Sequence, residues 1–568
     1  MLRPFHLIWP LVLAALVDPS QATQSPRDRP LQPSYESARS NANHIFNAIH
    51  SAGRQWGSAV NHNGFSFFPV TIPRGTVTYH GSSTPAVPKK LNWLAFVVEH
   101  AEFFARSVDP REWSPSPPKS PEPEVHIHFA LEGQVPLLSL GKAAIGSEGG
   151  DGSDGKDGYI RGYLHTYQAN RDLQLLYIDG LSAGNSFMGT LDAEDLILRG
   201  NDTLNIPFVI DEPLRARELC DLAASWGLDG LMRTEIGFEI LYCDFRDDGL
   251  TQLSTTRSFP AQDRVGMWRS AMLQWARAAG ERYDGVGEDR ARIDFSSMVS
   301  AFFFPVKISE SLSSRPGLLR LRGADMEDLA DIKTYLNATM AQPRRFAINW
   351  QQIVDTVVSR YTERLAWMRS PDLTNGSFID ELETATLTYY DAPAYPNDRD
   401  PPEFDGWLAE EDDRTADAIK LCARNELLRA QISKADWSKE DELIYTALET
   451  VTRKICTDLF SARAVLLKAS GPYASYRINN DLAKQSPEMD EALVSSRAIV
   501  TSLTEYLSWT TWYRSRRCPV EEIEFIAMWP FGDPQSHYTP GCRSVKDMQQ
   551  IAHDPQNNYW RMDDLILE

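Results

Sequence analysis

The hydrophobic period of this chain turns from strand-like to helical near residue 290, and that change decides its fold class. Between about 65 and 260, short apolar runs are bounded by Gly, Pro and Asn, as strands are. Gly75-Thr-Val-Thr-Tyr-His-Gly81, for example, puts Thr76, Thr78 and His80 on one strand face. Beyond 290, Ile353, Val357, Tyr361 and Leu365 recur at four-residue steps, and Leu448, Val451, Ile455 and Leu459 form a second helical stripe. Both stripes read as core. Ser438 with Asp441 three residues on predicts a helix N-terminus. The expectation is an α+β chain: a mixed domain over 36–290 on a small antiparallel sheet, then a mainly helical domain over 291–568.

The first residues point to export. A basic start at Arg3 precedes the apolar run Leu7 to Val17 and the small-residue triplet Ser20-Gln21-Ala22. That order describes a secretory signal over 1–22. The run is too short to span a bilayer, which needs about 20 apolar residues, and stable membrane insertion is not expected. Residues 23–35 read as a disordered mature N-terminus, and Ser37 to Ala52 as helix. Two low-complexity loops interrupt the mixed domain, a proline-rich one over 109–124 and a Gly/Asp-rich one over 146–158. The second lacks the register of a calcium loop and reads as solvated. An acidic, proline-bearing loop is expected over 394–413.

An exported chain gives meaning to three sequons, at Asn201, Asn337 and Asn375. Six cysteines, an even number, fit oxidation on the same route. Six allow 15 pairings; near-neighbour pairing gives Cys220–Cys243, Cys422–Cys456 and Cys518–Cys542. The middle pair conflicts with simple geometry. On two helices joined near Asp436-Trp437-Ser438, the two cysteines would be offset by roughly 10 Å, beyond the reach of a disulfide. Either a helix is kinked or Cys456 has another partner.

A net charge of −21 repels phosphate backbones, so nucleic acid is not an expected partner. The sequence contains no H-E-x-x-H or Walker motif. His126-Ile-His128 places two imidazoles on one strand face, a weak metal candidate with no third ligand in view.

Four segments of the mixed domain fit together: Gly75 to Gly81; Asn92-Trp-Leu-Ala-Phe-Val-Val98 running into a helical turn; Tyr163 to Asp179; and Gly230 to Phe245, with Glu239 at a strand start. In this order they resemble the split β-sheet of the ADP-ribosyltransferase fold. The resemblance implies NAD as substrate, with His80 holding the nicotinamide-side ribose and Glu239 as the catalytic acid. Gly81 would let backbone approach the cofactor, and Trp93 would offer a stacking face. A carboxylate aimed at oxocarbenium-like charge lowers the barrier electrostatically. The chain also resembles a group of uncharacterised secreted fungal proteins through Tyr79-His80-Gly81, Leu176-Tyr-Ile-Asp-Gly180, Gly237-Phe-Glu239 and Trp529-Pro-Phe-Gly532.

Three functions follow as expectations. The first is a secreted glycoprotein acting as an ADP-ribosyltransferase-like enzyme or NAD glycohydrolase. The second is a non-enzymatic extracellular binding or structural glycoprotein on a degenerate transferase fold, with an extracellular protein or small molecule as partner. The third is a metal-dependent hydrolase on His126 and His128. The first rests on one requirement, that His80 and Glu239 line a common pocket.

Overall fold

Strand β1 (Ser66–Ile72) and strand β2 (Val77–Ser82) are separated by only four residues of chain, yet they stand five places apart in the sheet. Five steps across a flat sheet cover about 24 Å, whereas the chain from Ile72 to Val77 reaches about 17 Å at most. The sheet must therefore fold back on itself. Strands β4 (Tyr163–Ala169) and β5 (Leu173–Ile178) repeat the arrangement, with residues 170–172 between them. Together the four strands make one antiparallel ribbon, running from Phe67 opposite Ile178 to Ser82 opposite Tyr163. At its bend, Gly75 N–H donates to the Ala169 carbonyl at 2.8 Å, and Ala169 N–H donates to the Thr76 carbonyl at 2.9 Å.

The computed structural model describes residues 29–61, 64–105, 161–184, 191, 193–200, 212–258, 274–280, 286, 289–310, 319–321, 323–390, 411–470, 486–515, 517–526, 537, 539–544 and 546–547. The signal segment 1–22, both low-complexity loops, His126, His128, Asn201 and the Trp529–Gly532 segment lie outside them.

Strands β6 (Gly230–Glu235), β7 (Gly237–Tyr242) and β3 (Asn92–Ala95) bridge the two halves of the ribbon, from β5 on one side to β2 on the other. Strand β8 (Leu250–Arg257) pairs with β4 at one edge. At the other edge, β9 (Arg292–Ile293) and β10 (Val299–Ser300) pair with β1. The expected small, antiparallel sheet is thus corrected twice: it has ten strands among the described residues and is mixed. The parallel pair is β5 with β6, because helix α5 (Glu212–Ser225) carries the chain across between them. That crossover helix sits inside a region whose short apolar runs read as strands throughout. The sheet also runs on past residue 290.

Two further boundaries move. The chain is already docked ahead of residue 36: Leu31 N–H donates to Asp331 at 2.6 Å and Ser34 N–H to the Phe303 carbonyl at 2.8 Å. Ser34 caps helix α1 (Tyr35–Ser40). Residues 411–413, expected in a loop, begin the helix Glu411–Arg424.

The later part of the chain is mainly helical. Both predicted stripes are buried, in helices Trp350–Arg369 and Lys439–Ala469. Ser438 and Asp441 form the reciprocal capping box at the start of the second. That 31-residue helix packs against α1, α2 (Ala42–Ser51) and the helices Asn375–Leu387, Glu411–Arg424 and Pro487–Leu507. Sheet and helices share one continuous hydrophobic core from Ala38 to Ile526. Across it, Arg54 forks onto the two carboxylate oxygens of Asp355 at 2.7 and 2.6 Å.

All three near-neighbour disulfides form, including Cys422–Cys456 with Cα atoms 6.0 Å apart. The expected offset is absent because the two helices do not meet at one turn. Helix Glu411–Arg424 ends two residues after Cys422, and the short turns Asn425–Leu427, Leu428–Gln431 and Lys434–Asp436 make up the height. No helix among the described residues is long and apolar enough to cross a membrane.

Candidate functional site

A one-residue turn at Ile236 joins β6 to β7 and sets three charged side chains on one face. Arg233 stands opposite Glu239, and Glu235 opposite Gly237; directly opposed residues point to the same side. Gly237 has φ of 91°, a backbone that glycine accepts without strain. A Cβ there would stand 3.3 Å from His100 Nδ1. Gln55, on α3 (Gln55–Val60), grips the turn twice: its Nε2 donates to the Glu235 carbonyl at 2.6 Å, and its Oε1 accepts from Gly237 N–H at 2.8 Å. Trp275 Nε1 donates to the Ile236 carbonyl at 2.6 Å. His100, on α4 (Val98–Phe104), stacks on Trp275 and brings Nε2 to 3.1 Å from Glu235 Oε1.

Arg233 is the hub of a buried ionic centre. It donates to Glu239 Oε1 from Nε at 3.0 Å and from Nη2 at 2.6 Å, to Glu194 Oε2 at 3.1 Å and to Glu212 Oε1 at 2.8 Å. Arg215 binds Asp195 at 2.9 and 3.1 Å and Glu212 at 2.6 Å. Glu194 and Asp195 lie in a π-helical segment, Ala193–Leu198, a form often found at functional sites.

Burial pushes Glu235 up to about 8, and Glu239 and Glu194 up to about 7, against the pull of Arg233. Glu212 is desolvated as well, but Arg233 and Arg215 outweigh that and hold it below the usual range. Burial lowers His100 to about 4 despite the nearby Glu239 carboxylate. The His100–Glu235 contact is therefore a hydrogen bond between two groups that burial holds neutral, although their separation also fits an ion pair.

His80 is not part of this centre. Tyr79 stands opposite Ala95, and Ala95 opposite Glu239, so Tyr79 and Glu239 share a face. His80, one residue on from Tyr79, points to the other. It stands opposite His165, with ring centroids 5.7 Å apart, and lies 6.2 Å from Phe245. Its Nδ1 is 2.9 Å from the Trp93 carbonyl, and burial lowers its pKa to about 4. His80 Nε2, Thr78 Oγ1 and Tyr167 Oη are buried without hydrogen-bond partners. Thr78 stands opposite Tyr167, on the His80 face.

Trp93 and Gly81 do share the Glu239 face, but Trp93 is buried there opposite Leu241. The space beside Gly81 is filled by α4: a Cβ would meet the Ala101 carbonyl oxygen at 2.1 Å. That glycine admits a helix, in place of the expected ligand. Asp179 serves as a local anchor, accepting from Ser66 N–H at 2.9 Å. Asn337 and Asn375 are exposed, the first near the end of helix Met326–Met340 and the second opening helix Asn375–Leu387.

Sequence reasoning missed Arg233, Glu235 and His100. For Arg233 and Glu235 the signal was present in Arg233-Thr-Glu235 and Glu239: charges on one parity of an otherwise apolar pair of strands must find partners if both faces are covered.

Fold and site thus define an α+β protein with a buried ionic centre under a strand turn. Residues 36–275 match the family model described as the YPL277C N-terminal domain. The chain is similar to two proteins of Saccharomyces cerevisiae. One, "Uncharacterized protein YPL277C", is 31% identical over 236 residues, covering 40% of this chain and 45% of that protein. The other, "Uncharacterized protein YOR389W", is 33% identical over 238 residues, covering 40% and 35%. The match spans less than half the length of either relative. It supports an uncharacterised fungal family for this part of the chain. No solved structure matches.

Proposed function

We propose that this chain is an exported, N-glycosylated binding protein for a small polar molecule, and that it does not transfer ADP-ribose. The observation that carries the reading is the placement of His80 and Glu239 on opposite faces of the β2–β3–β7 sheet. Two groups that must each reach one ribose within about 3 Å cannot act from two sides of a sheet. The small-molecule reading draws support from Thr78, His80 and Tyr167, whose partnerless polar atoms lie among the rings of His165, Tyr242 and Phe245. A few polar groups in an aromatic setting suit a small ligand. Export draws support from the pairing of all six cysteines and from the exposed sequons at Asn337 and Asn375.

The test uses full-length chain purified from culture medium and incubated with NAD. Wild type and Glu239→Gln are both expected to release nicotinamide no faster than buffer. Release by wild type that vanishes in Glu239→Gln, with near-ultraviolet circular dichroism intact, overturns the reading in favour of the transferase. In a thermal-shift screen of planar polar compounds, a genuine ligand raises the wild-type melting temperature and loses that effect in Tyr167→Phe. Hits that shift Tyr167→Phe and Thr78→Val as strongly as wild type would move the ligand off the His80 face.

A further inference from the structure

We propose that His100, Glu235 and Glu239 together hold one divalent cation of the zinc or manganese kind at the β6–β7 turn. This inference concerns the Glu239 face and does not depend on the ligand proposed for the other.

Geometry comes first. Each of the three side chains offers one ligand atom, and these atoms all lie within 4.8 Å of one another, in residues that are all buried. The 3.1 Å between His100 Nε2 and Glu235 Oε1 is the spacing of neighbouring ligands around an ion held at about 2.1 Å. The ligands come from two rigid sources, a helix and a two-stranded turn, so they are set before an ion arrives. Gln55 and Trp275 fix the turn through the Glu235 and Ile236 carbonyls, and stacking on Trp275 fixes the imidazole. Both Arg233 bonds to Glu239 fall on Oε1, the arrangement of an outer partner that orients a ligating carboxylate. One imidazole with two carboxylates suits zinc or manganese better than the all-oxygen shell that calcium prefers.

Charge gives an independent reason. Among the described residues, the carboxylates Glu194, Asp195, Glu212, Glu218, Glu235 and Glu239 are gathered around the guanidinium groups of Arg199, Arg215 and Arg233. Fully ionised, the centre sets six negative charges against three positive ones, an excess of three, and of the six carboxylates Glu218 is the one substantially exposed. Such an excess is not tolerated in a protein interior without compensation. One divalent ion cancels two of the three.

The experiment takes the full-length secreted chain, purified without metal-affinity resin and dialysed against metal-free buffer, and measures its metals by inductively coupled plasma mass spectrometry. One zinc or manganese ion per chain is expected. Its content should fall at least about tenfold in Glu235→Gln and in His100→Asn. Because either variant could fail to fold, chelator-stripped wild type is also titrated with zinc chloride and with manganese chloride. One-to-one binding with a rise in melting temperature supports the site. A wild-type chain that carries neither metal, and whose stripped form answers to neither, overturns it. So does metal that stays bound in a folded Glu235→Gln, Glu239→Gln double variant.

Discussion

Arg233 places two of its nitrogens on a single oxygen of Glu239, at 3.0 and 2.6 Å, while its remaining donors serve Glu194 and Glu212. One guanidinium thus binds three acidic side chains drawn from a strand, a π-helical segment and a crossover helix. Arg233→Met leaves those carboxylates buried with too few cations. Breaking a buried ion pair from one side costs about 3–5 kcal/mol. A loss of that size in urea unfolding is expected, whereas Glu239→Gln, which keeps an acceptor, should cost clearly less. Equal losses in the two variants would mean that Arg233 is not the hub.

Gly81→Ala tests whether that glycine makes room for a ligand or for a helix. The added methyl meets the Ala101 carbonyl oxygen, which is backbone and cannot swing aside. Overpacking of this kind costs about 1–3 kcal/mol or more. The expected outcome is a lower melting temperature in the absence of any added compound. An unchanged melting temperature would favour open space beside Gly81.

Asp179 sets a pH dependence. Burial raises its carboxyl to about 7, although Ser66 N–H bonds to it. Between about pH 4 and 7 the folded chain keeps a proton that the unfolded chain has released, so this group's contribution to stability falls as pH rises through that window. The slope is at most about 1.4 kcal/mol per pH unit. Asp179→Asn keeps the acceptor and removes the titration. Its urea midpoint should fall less between pH 5 and 7 than that of wild type, and parallel falls would refute the assignment.

The helical half was legible because its signals are local. The stripe through Ile353, Val357, Tyr361 and Leu365 and the cap at Ser438 need only neighbours within one or two turns. The strands of the other half were legible one at a time, but their order was not. Nothing within residues 73–76 shows that five strand spacings must be closed there, and the crossover by α5 lies between strand runs that read the same with or without it. Glu239 was singled out at a strand start, as the catalytic acid that the transferase resemblance implies, while its partners were not. His100 is 139 residues away in the chain, and only the register of β3 against β7 decides which imidazole reaches that face. A Tyr-His-Gly run carries no information about which side of a sheet its histidine will take until the neighbouring strand is known.

Strand β1 owes its outer hydrogen bonds to Arg292–Ile293 and Val299–Ser300, which lie beyond the stretch that the family model covers. Cut free at residue 275, the sheet would present a bare rim of backbone amides and carbonyls, the kind of template on which chains stack and precipitate. A relative that keeps these strands but replaces the helices must bring its own lid for that rim, from some other part of its chain or from a second molecule.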